Sequence, residues 1–145
     1  MLFVYEKIKI NKNEIEYLRN SDDKMKKLID LVGDIVREYI TNPFIALVNS
    51  IVFQQLAYKA AISIWNRFEN LVKDITPQNI LNTDDESLRE CGLSKTKINY
   101  IKNLSQATIE GELDFKRFEE MTDEEIIEKL IKIKGIGVWT AEMFL

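Results

Sequence analysis

Residues 44–71 carry apolar side chains at helical spacing on almost every face, and this segment constrains the fold more than any other. A helix that is apolar all round must be covered by other elements, so we expect the segment to lie at the centre of the structure. The polar pair Gln54-Gln55 interrupts it and predicts two helices with a break at that pair. Asn42-Pro43 marks its start, as an N-cap followed by proline at the first helical position.

The rest of the chain also has the pattern of helices. Apolar spacing predicts an amphipathic helix over residues 22–40, preceded at residues 7–10 by a short strand or an arm. Further helices are predicted over residues 77–81, 85–91, 95–109, 115–120 and 123–133, and a last one starts at residue 138. No strand pattern follows Ile10. The sequence therefore predicts an all-α fold. Residues 1–41 would form an N-terminal arm and leading helix, residues 42–145 a helical domain, and the two together one structural unit.

Composition excludes several kinds of chemistry. The 145 residues include no histidine and a single cysteine, Cys91. Without histidine there is no Ser-His-Asp triad and no imidazole base or ligand, and one cysteine provides neither an internal disulfide nor a zinc cluster. No apolar run is long enough to span a membrane, and residues 1–10 lack the apolar stretch of a secretory signal. We therefore expect a cytoplasmic protein without a membrane partner.

Charge is segregated along the chain, although the formal net charge is only −4. Residues 94–109 carry three lysines and no acid, whereas residues 112–130 carry eight acidic and three basic residues. The acidic balance argues against a broad basic face that coats nucleic acid, but the lysine segment leaves room for a small DNA-facing surface. Charge alone favours ordinary solvated helix faces over a DNA-facing surface.

Lys134-Gly135-Ile136-Gly137 lies between two predicted helices. Glycine allows positive φ and close backbone approach, so two glycines around an isoleucine suit a tight hairpin with a buried apolar residue in its middle. The amide groups at the start of the next helix then point outward and can bind a phosphate without basic side chains. A plain turn between two helices would carry the same glycines, so the motif by itself leaves both interpretations open.

Three blocks of sequence, in matching order, resemble the helix-hairpin-helix DNA glycosylases and in particular their alkylated-base branch, the 3-methyladenine DNA glycosylase II family. The hairpin block is Ile133-x-Gly-Ile-Gly-x-Trp-Thr-Ala-Glu-Met-Phe-Leu145. A second block, residues 42–55, ends in Gln54-Gln55 and is followed by Ala60-Ala61 and Arg67. The third is Cys91-Gly-Leu-Ser-Lys-Thr-Lys97, followed by Tyr100. The resemblance covers residues 42–145 and implies a multi-helix orthogonal bundle of the helix-hairpin-helix glycosylase type.

The resemblance implies an enzyme of base excision repair. Such enzymes bind double-stranded DNA that contains damaged bases, flip the base into a pocket and hydrolyse its N-glycosidic bond. In the hairpin, a backbone phosphate would be held by Gly135, Ile136, Gly137 and Thr140. The family's hairpin carbonyls, here near Ile133 and Gly135, can hold a monovalent cation, and no other cofactor is implied.

Two further pairs of residues take roles from the same resemblance. Gln54 and Gln55 match the minor-groove pair, and Gln55 would be the wedge that fills the gap left by the flipped base. Trp139 and Met143 would line the base pocket. Branches that also cleave the backbone carry a Schiff-base lysine in place of Trp139, so a monofunctional, hydrolytic enzyme is implied. An alkylated purine is a cationic ring, and tryptophan is the best side chain to stack against a cation.

The family's catalytic aspartate follows the helix that begins at Val138, so the resemblance places it beyond Leu145 and leaves no catalytic residue in this chain. We expect a fragment that lacks the C-terminal part of the bundle and has no glycosylase activity. Glu142 would be exposed on the face opposite Trp139. Phe144 and Leu145 would lack covering helices, which favours non-native self-association.

Two other functions stay open on the sequence. A non-catalytic helix-hairpin-helix module would bind DNA through the hairpin but would need no tryptophan-lined pocket. A helical interaction domain without a nucleic-acid role would show no salt-dependent binding of DNA. Trp139 would also fit the core of either fold, as a packed residue on the first turn after the hairpin.

Overall fold

The computed structural model describes residues 5–8, 10–33 and 38–145. Helices dominate it, and the all-α class predicted from the sequence is confirmed. The chain divides at Asn42 into two compact units, residues 3–41 and residues 42–145. That the two units behave as one structural unit stays a prediction. Within the described residues, no helix has the length and apolar content that crossing a bilayer requires.

The N-terminal unit contains a small antiparallel sheet and two helices. β1 (Tyr5–Lys7) pairs with β2 (Glu38–Ile40). α1 (Lys12–Ser21) and α2 (Asp23–Val32) lie between the strands in sequence and contact each other.

The helix predicted over residues 22–40 is therefore wrong beyond Val32. Gly33 follows α2 with φ 71°, a left-handed conformation that stops a helix, and residues 38–40 are extended. β2 also contradicts the prediction that no strand follows Ile10, and β1 ends at Lys7 and does not extend over residues 7–10. Of the apolar positions that suggested the long helix, Ile35 and Val36 lie outside the described residues.

The second unit is a bundle whose boundaries follow the sequence closely. Its helices are α3 (Pro43–Phe53), α4 (Tyr58–Val72), α5 (Pro77–Asn82), α6 (Asp85–Glu90), α7 (Lys95–Ile109), a 3₁₀ helix (Phe115–Glu120), α8 (Asp123–Leu130) and α9 (Val138–Glu142). The predicted break at Gln54-Gln55 is confirmed. α8 ends three residues earlier than expected, at Leu130, and Ile131 is its C-cap, whose amide still donates to the Ile127 carbonyl.

Polar residues determine where these helices begin. The side chain of the N-cap accepts a hydrogen bond from a first-turn amide in each of five helices, with the caps Asn42, Thr76, Asp84, Ser94 and Thr122. At α8 the bond is reciprocal, since the Glu125 carboxylate accepts from the Thr122 amide in a capping box. Such caps each contribute about 1 kcal/mol, so the boundaries are set locally.

α3 lies at the centre of the bundle, as its apolar sequence predicts. Leu47, Val48, Ile51 and Val52 are completely buried, and α3 packs against both α4 and α7. The C-terminal end of α3, where the central helix meets the first turns of α7, carries the loop with Gln54-Gln55. The loop that the sequence singles out thus follows a largely buried helix.

Phe144 has partners that the sequence does not reveal. Its ring lies 6.4 Å from that of Phe115 and 6.1 Å from that of Phe118, the latter edge to face. These rings come from the 3₁₀ helix. The expectation that Phe144 lacks covering residues is therefore wrong, whereas Leu145 is 52% exposed. Self-association through this end stays a prediction, with less apolar surface to drive it.

Candidate nucleic-acid interface

One open groove of about 770 Å³ brings together the residues that the sequence singles out on three separate segments. The predicted residues that line it are Gln54, Gln55, Gly135, Ile136, Gly137, Trp139 and Thr140. Met143 does not line it, and lies on α9 with about half of its side chain exposed. The start of α7 contributes four residues that the sequence analysis did not place in the site, namely Ser94, Thr96, Lys97 and Tyr100.

Gly135 makes the hairpin possible by its conformation and by its lack of a side chain. Its φ is 110°, in the region that residues with a Cβ rarely adopt. A Cβ at Gly135 would lie 2.3 Å from Cγ of Tyr100, so the Tyr100 ring packs directly on the hairpin backbone. Ile136, the apolar residue in the middle, is 4% exposed, which confirms its predicted burial.

Gly137 differs from Gly135, although the sequence suggests the same role for both. Its φ is −91°, which any residue can adopt, and no described atom lies within 4 Å of a Cβ built there. Positive φ, one of the two reasons for glycine in such a hairpin, therefore applies to Gly135 and not to Gly137. Its place in the structure is the N-cap of α9, where it provides no side chain to satisfy the first amides.

The first turn of α9 offers amide groups to the groove. The first hydrogen bond into this helix runs from the Ala141 amide to the Gly137 carbonyl. Among the described residues, no acceptor is found for the amides of Val138, Trp139 and Thr140. Amides left open in this way at the start of a helix are suited to bind an anion such as a phosphate.

Two neighbouring residues of α9 lie in contrasting environments. Trp139 is 70% exposed, so it is not packed in the core of the described residues. Thr140 is 5% exposed, although it also lines the groove. A tryptophan that leaves most of its ring in water gives up the stabilisation that burial would bring, about 2 kcal/mol or more, and is suited to stack on a ligand.

Lys97 and Gln54 connect the three segments of the groove. The Lys97 ammonium group donates hydrogen bonds to the carbonyls of Val52 at 2.7 Å and Gln54 at 2.8 Å. The Gln54 side-chain amide donates in turn to the Gly135 carbonyl at 3.0 Å. Burial lowers the pKa of Lys97 below its ordinary value. The end of α3, the start of α7 and the hairpin are thereby held together by side chains.

Gln55 has a strained backbone at the tip of the loop between α3 and α4. Its φ is 54°, in the left-handed region, and its side chain is exposed beside the groove. A residue other than glycine in this region costs about 1 kcal/mol or more, and persists only where its surroundings fix it. The exposed position agrees with a residue that contacts a partner molecule.

The hairpin carbonyls proposed for a cation already take part in hydrogen bonds. The Ile133 carbonyl accepts from the Ile136 amide at 3.0 Å, and the Gly135 carbonyl accepts from Gln54. Each oxygen keeps a second lone pair, so both retain the capacity to bind a monovalent cation. Cation binding there stays a prediction. In the described residues, no group of three or more Asp, Glu, Cys or His side chains is arranged to hold a metal ion.

No carboxylate lines the groove in the described part of the chain. Glu142, the nearest acid after the hairpin, is exposed and does not belong to the lining. The groove as it stands can bind and orient a polyanion and stack a flat ring. It provides no acidic group to stabilise a developing positive charge.

Comparison with known proteins agrees with this geometry. The profile of HhH-GPD superfamily base excision DNA repair proteins matches residues 48–138, from α3 through the hairpin to the start of α9. The chain belongs to this superfamily. The match ends within the hairpin block and spans all three segments of the groove.

Individual relatives of the superfamily are similar over nearly the whole chain. It is 39% identical to DNA-3-methyladenine glycosylase 1 of Schizosaccharomyces pombe, over 94% of this chain and 62% of that protein. The DNA-3-methyladenine glycosidase of Bacillus halodurans superposes with a TM-score of 0.76 at 39% identity, over 96% of this chain and 65% of its own. The structure of the S. pombe 3-methyladenine DNA glycosylase in complex with abasic DNA gives a TM-score of 0.80 at 36% identity, over 92% of this chain and 68% of that one. The chain thus spans about three fifths of the first of these relatives.

Proposed function

We propose that this chain is the DNA-binding part of a monofunctional alkylbase DNA glycosylase, which in full length hydrolyses the N-glycosidic bond of alkylated bases in duplex DNA. The observation that carries the proposal is the single groove shared by the glycine hairpin, the Gln54-Gln55 loop and the exposed Trp139. The relatives named above support it, since they are 3-methyladenine glycosylases and one is bound to abasic DNA. The proposal includes the cytoplasmic location predicted from the sequence.

In this function the hairpin holds the DNA backbone. The phosphate next to the lesion is bound by the backbone amides of Gly135 and Gly137 and by Thr140, with the other open amides of α9 as further donors. The predicted contribution of Ile136 is limited, because its amide is already bonded to the Ile133 carbonyl. This contact requires no basic side chain, which reconciles DNA binding with a net charge of −4. A monovalent cation on the carbonyls of Ile133 and Gly135 would add a positive charge beside that phosphate.

The flipped base stacks on Trp139 in this proposal. Its exposed ring borders the groove, and a cationic alkylated purine gains from stacking on an electron-rich ring. Met143, which lies outside the groove lining, would reach the base only at its edge. In the described residues, Lys97 is the one lysine of the groove, and its ammonium group is occupied by two backbone carbonyls. Strand cleavage through a Schiff base is therefore not part of the proposal.

The 145-residue chain by itself is proposed to bind DNA without hydrolysis, because its groove lacks a carboxylate in the described residues. The same observation favours a second candidate function, a non-catalytic DNA-binding module. The two differ in the role of Trp139, which a module that binds only through the hairpin phosphate contacts does not need.

Salt-dependent binding of duplex DNA tests the proposal. We expect the chain to bind a short duplex with an affinity that falls as salt rises, and the log–log slope should be modest, about −2 to −4, because few phosphates are neutralised. Fluorescence anisotropy of a labelled duplex across a salt series measures this slope. Absence of binding at low salt would contradict both DNA-binding functions and favour a helical interaction domain.

A further inference from the structure

We infer that Lys97 is a positioning residue for damage recognition, which fixes the conformation of the Gln54-Gln55 loop and its distance from the hairpin. The inference rests on the proposed DNA-binding function. It assigns to Lys97 a role through the protein backbone and not through a direct contact with DNA.

The contacts of Lys97 differ from those of a lysine that faces DNA. Its ammonium group reaches two backbone carbonyls, and no carboxylate partner is found for it in the described residues. Its neighbour Lys95, two residues earlier on α7, is exposed, and its ammonium group makes no hydrogen bond or ion pair within the described part of the chain. Of the two lysines, Lys95 is therefore the one free to attract phosphates, while the charge of Lys97 is committed to the end of α3.

The two carbonyls bound by Lys97 lie on either side of the point where α3 ends. Val52 belongs to the last turn of the helix, and Gln54 is already extended, with φ −51° and ψ 131°. A cation that joins these two oxygens fixes the direction in which the chain leaves the helix. Gln55, the next residue, has the left-handed φ of 54°. We attribute the persistence of this strained conformation to the hydrogen bonds of Lys97 just before it.

α7 also fixes the hairpin, one turn further along the same helix. Tyr100 lies three residues after Lys97, a spacing that places both on one face of a helix. Its ring packs on Gly135, and the Gly135 carbonyl accepts the hydrogen bond from Gln54. The contacts thus run from Lys97 to Gln54, from Gln54 to Gly135 and from Gly135 to Tyr100, which lies on the same helix as Lys97. These contacts set the distance between the loop that would enter the gap in DNA and the hairpin that would hold the phosphate.

The experiment compares affinities for two duplexes, one intact and one with a tetrahydrofuran abasic-site analogue. The chain is expected to prefer the abasic duplex, because a vacated base stack admits Gln55 without the cost of flipping. Lys97→Met is expected to reduce this preference by at least about fivefold, with less than about a twofold change for the intact duplex. Lys97→Arg, which keeps the donors, is expected to restore the preference.

Lys95→Met is the matched control, since it removes the same charge from the same helix turn outside the groove lining. It is expected to weaken both duplexes equally and to leave the preference unchanged. Gln54→Ala provides a second test if Lys97→Met does not fold, because it removes the link to Gly135 but keeps the backbone carbonyl that Lys97 binds. It too is expected to lower the preference for the abasic duplex.

Three results would overturn the inference. If folded Lys97→Met keeps the full preference for the abasic duplex, the loop does not depend on these contacts. The same conclusion follows from an unchanged preference in Gln54→Ala, where that variant is measured instead. Equal weakening of both duplexes by Lys97→Met would make Lys97 a direct phosphate contact. If the unmodified chain binds neither duplex, the proposed function itself fails, and the inference with it.

Discussion

Gly135→Ala is expected to lower the free energy of unfolding by about 2–4 kcal/mol. The substitution forces a residue with a Cβ into φ 110° and places that atom 2.3 Å from Cγ of Tyr100. The atoms in the way are Cβ, Cγ and Cδ2 of Tyr100, at the base of a side chain on α7, so the ring cannot simply swing aside. Equilibrium urea unfolding, followed by circular dichroism, measures the change.

Gly137→Ala is the matched control two residues away. Its φ of −91° suits alanine, and the Cβ would enter open space, so a loss of less than about 1 kcal/mol is expected from the altered N-cap. Gly135→Ala should also abolish duplex binding, since the hairpin no longer presents its amides. Equal destabilisation by the two substitutions would contradict the packing of Tyr100 on the hairpin.

Trp139→Ala is expected to reduce base excision by the full-length protein about 10- to 100-fold, the range that corresponds to loss of one stacked base. The free energy of unfolding should change by less than about 0.5 kcal/mol, because the Trp139 side chain is 70% exposed. Binding of an intact duplex through the hairpin should be retained. Single-turnover release of an alkylated base, together with unfolding curves, measures both quantities.

Trp65→Ala makes the same chemical change at a buried position. Trp65 is 5% exposed and its ring lies 5.7 Å from that of Phe68, so a loss of about 3–5 kcal/mol of stability is expected. If Trp139→Ala destabilises the fold to a similar extent, Trp139 is a packing residue. If Trp139→Ala excises at the unmodified rate, the tryptophan does not stack on the base and the non-catalytic module becomes the better interpretation.

The boundaries of the central bundle could be predicted because the signals that set them are local. Asn42 before Pro43, Ser94 before α7 and the Thr122 capping box each act within one helical turn, and each is visible in the sequence. The N-terminal unit also has capping side chains, Asn11 before α1 and Asp22 before α2, but the end of α2 and the presence of α1 were missed. α1 is polar over most of its length, and apolar residues at helical spacing continue past Gly33, so periodicity predicted a helix that the left-handed Gly33 ends.

The residues of the candidate site were predicted better than their roles. The glycines of the hairpin look equivalent in sequence, but Gly135 differs from Gly137 in its positive φ and in its contact with the Tyr100 ring, 35 residues away along the chain. The hydrogen bonds of Lys97 to the end of α3 join residues more than 40 positions apart, and no periodic pattern in the sequence indicates them. Contacts of this kind arise from packing between helices, which the spacing of residues within one helix does not report.

The release of free base from alkylated duplex DNA tests the central claim most directly. We expect the full-length protein to release an alkylated base and to leave an intact strand that breaks only on later treatment with alkali. The 145-residue chain should bind the same DNA and release no base. Release coupled to strand cleavage would contradict the proposal of a monofunctional, hydrolytic enzyme, which rests on Trp139 in place of a lysine. If the full-length protein folds and binds DNA but releases no base, it is not a glycosylase.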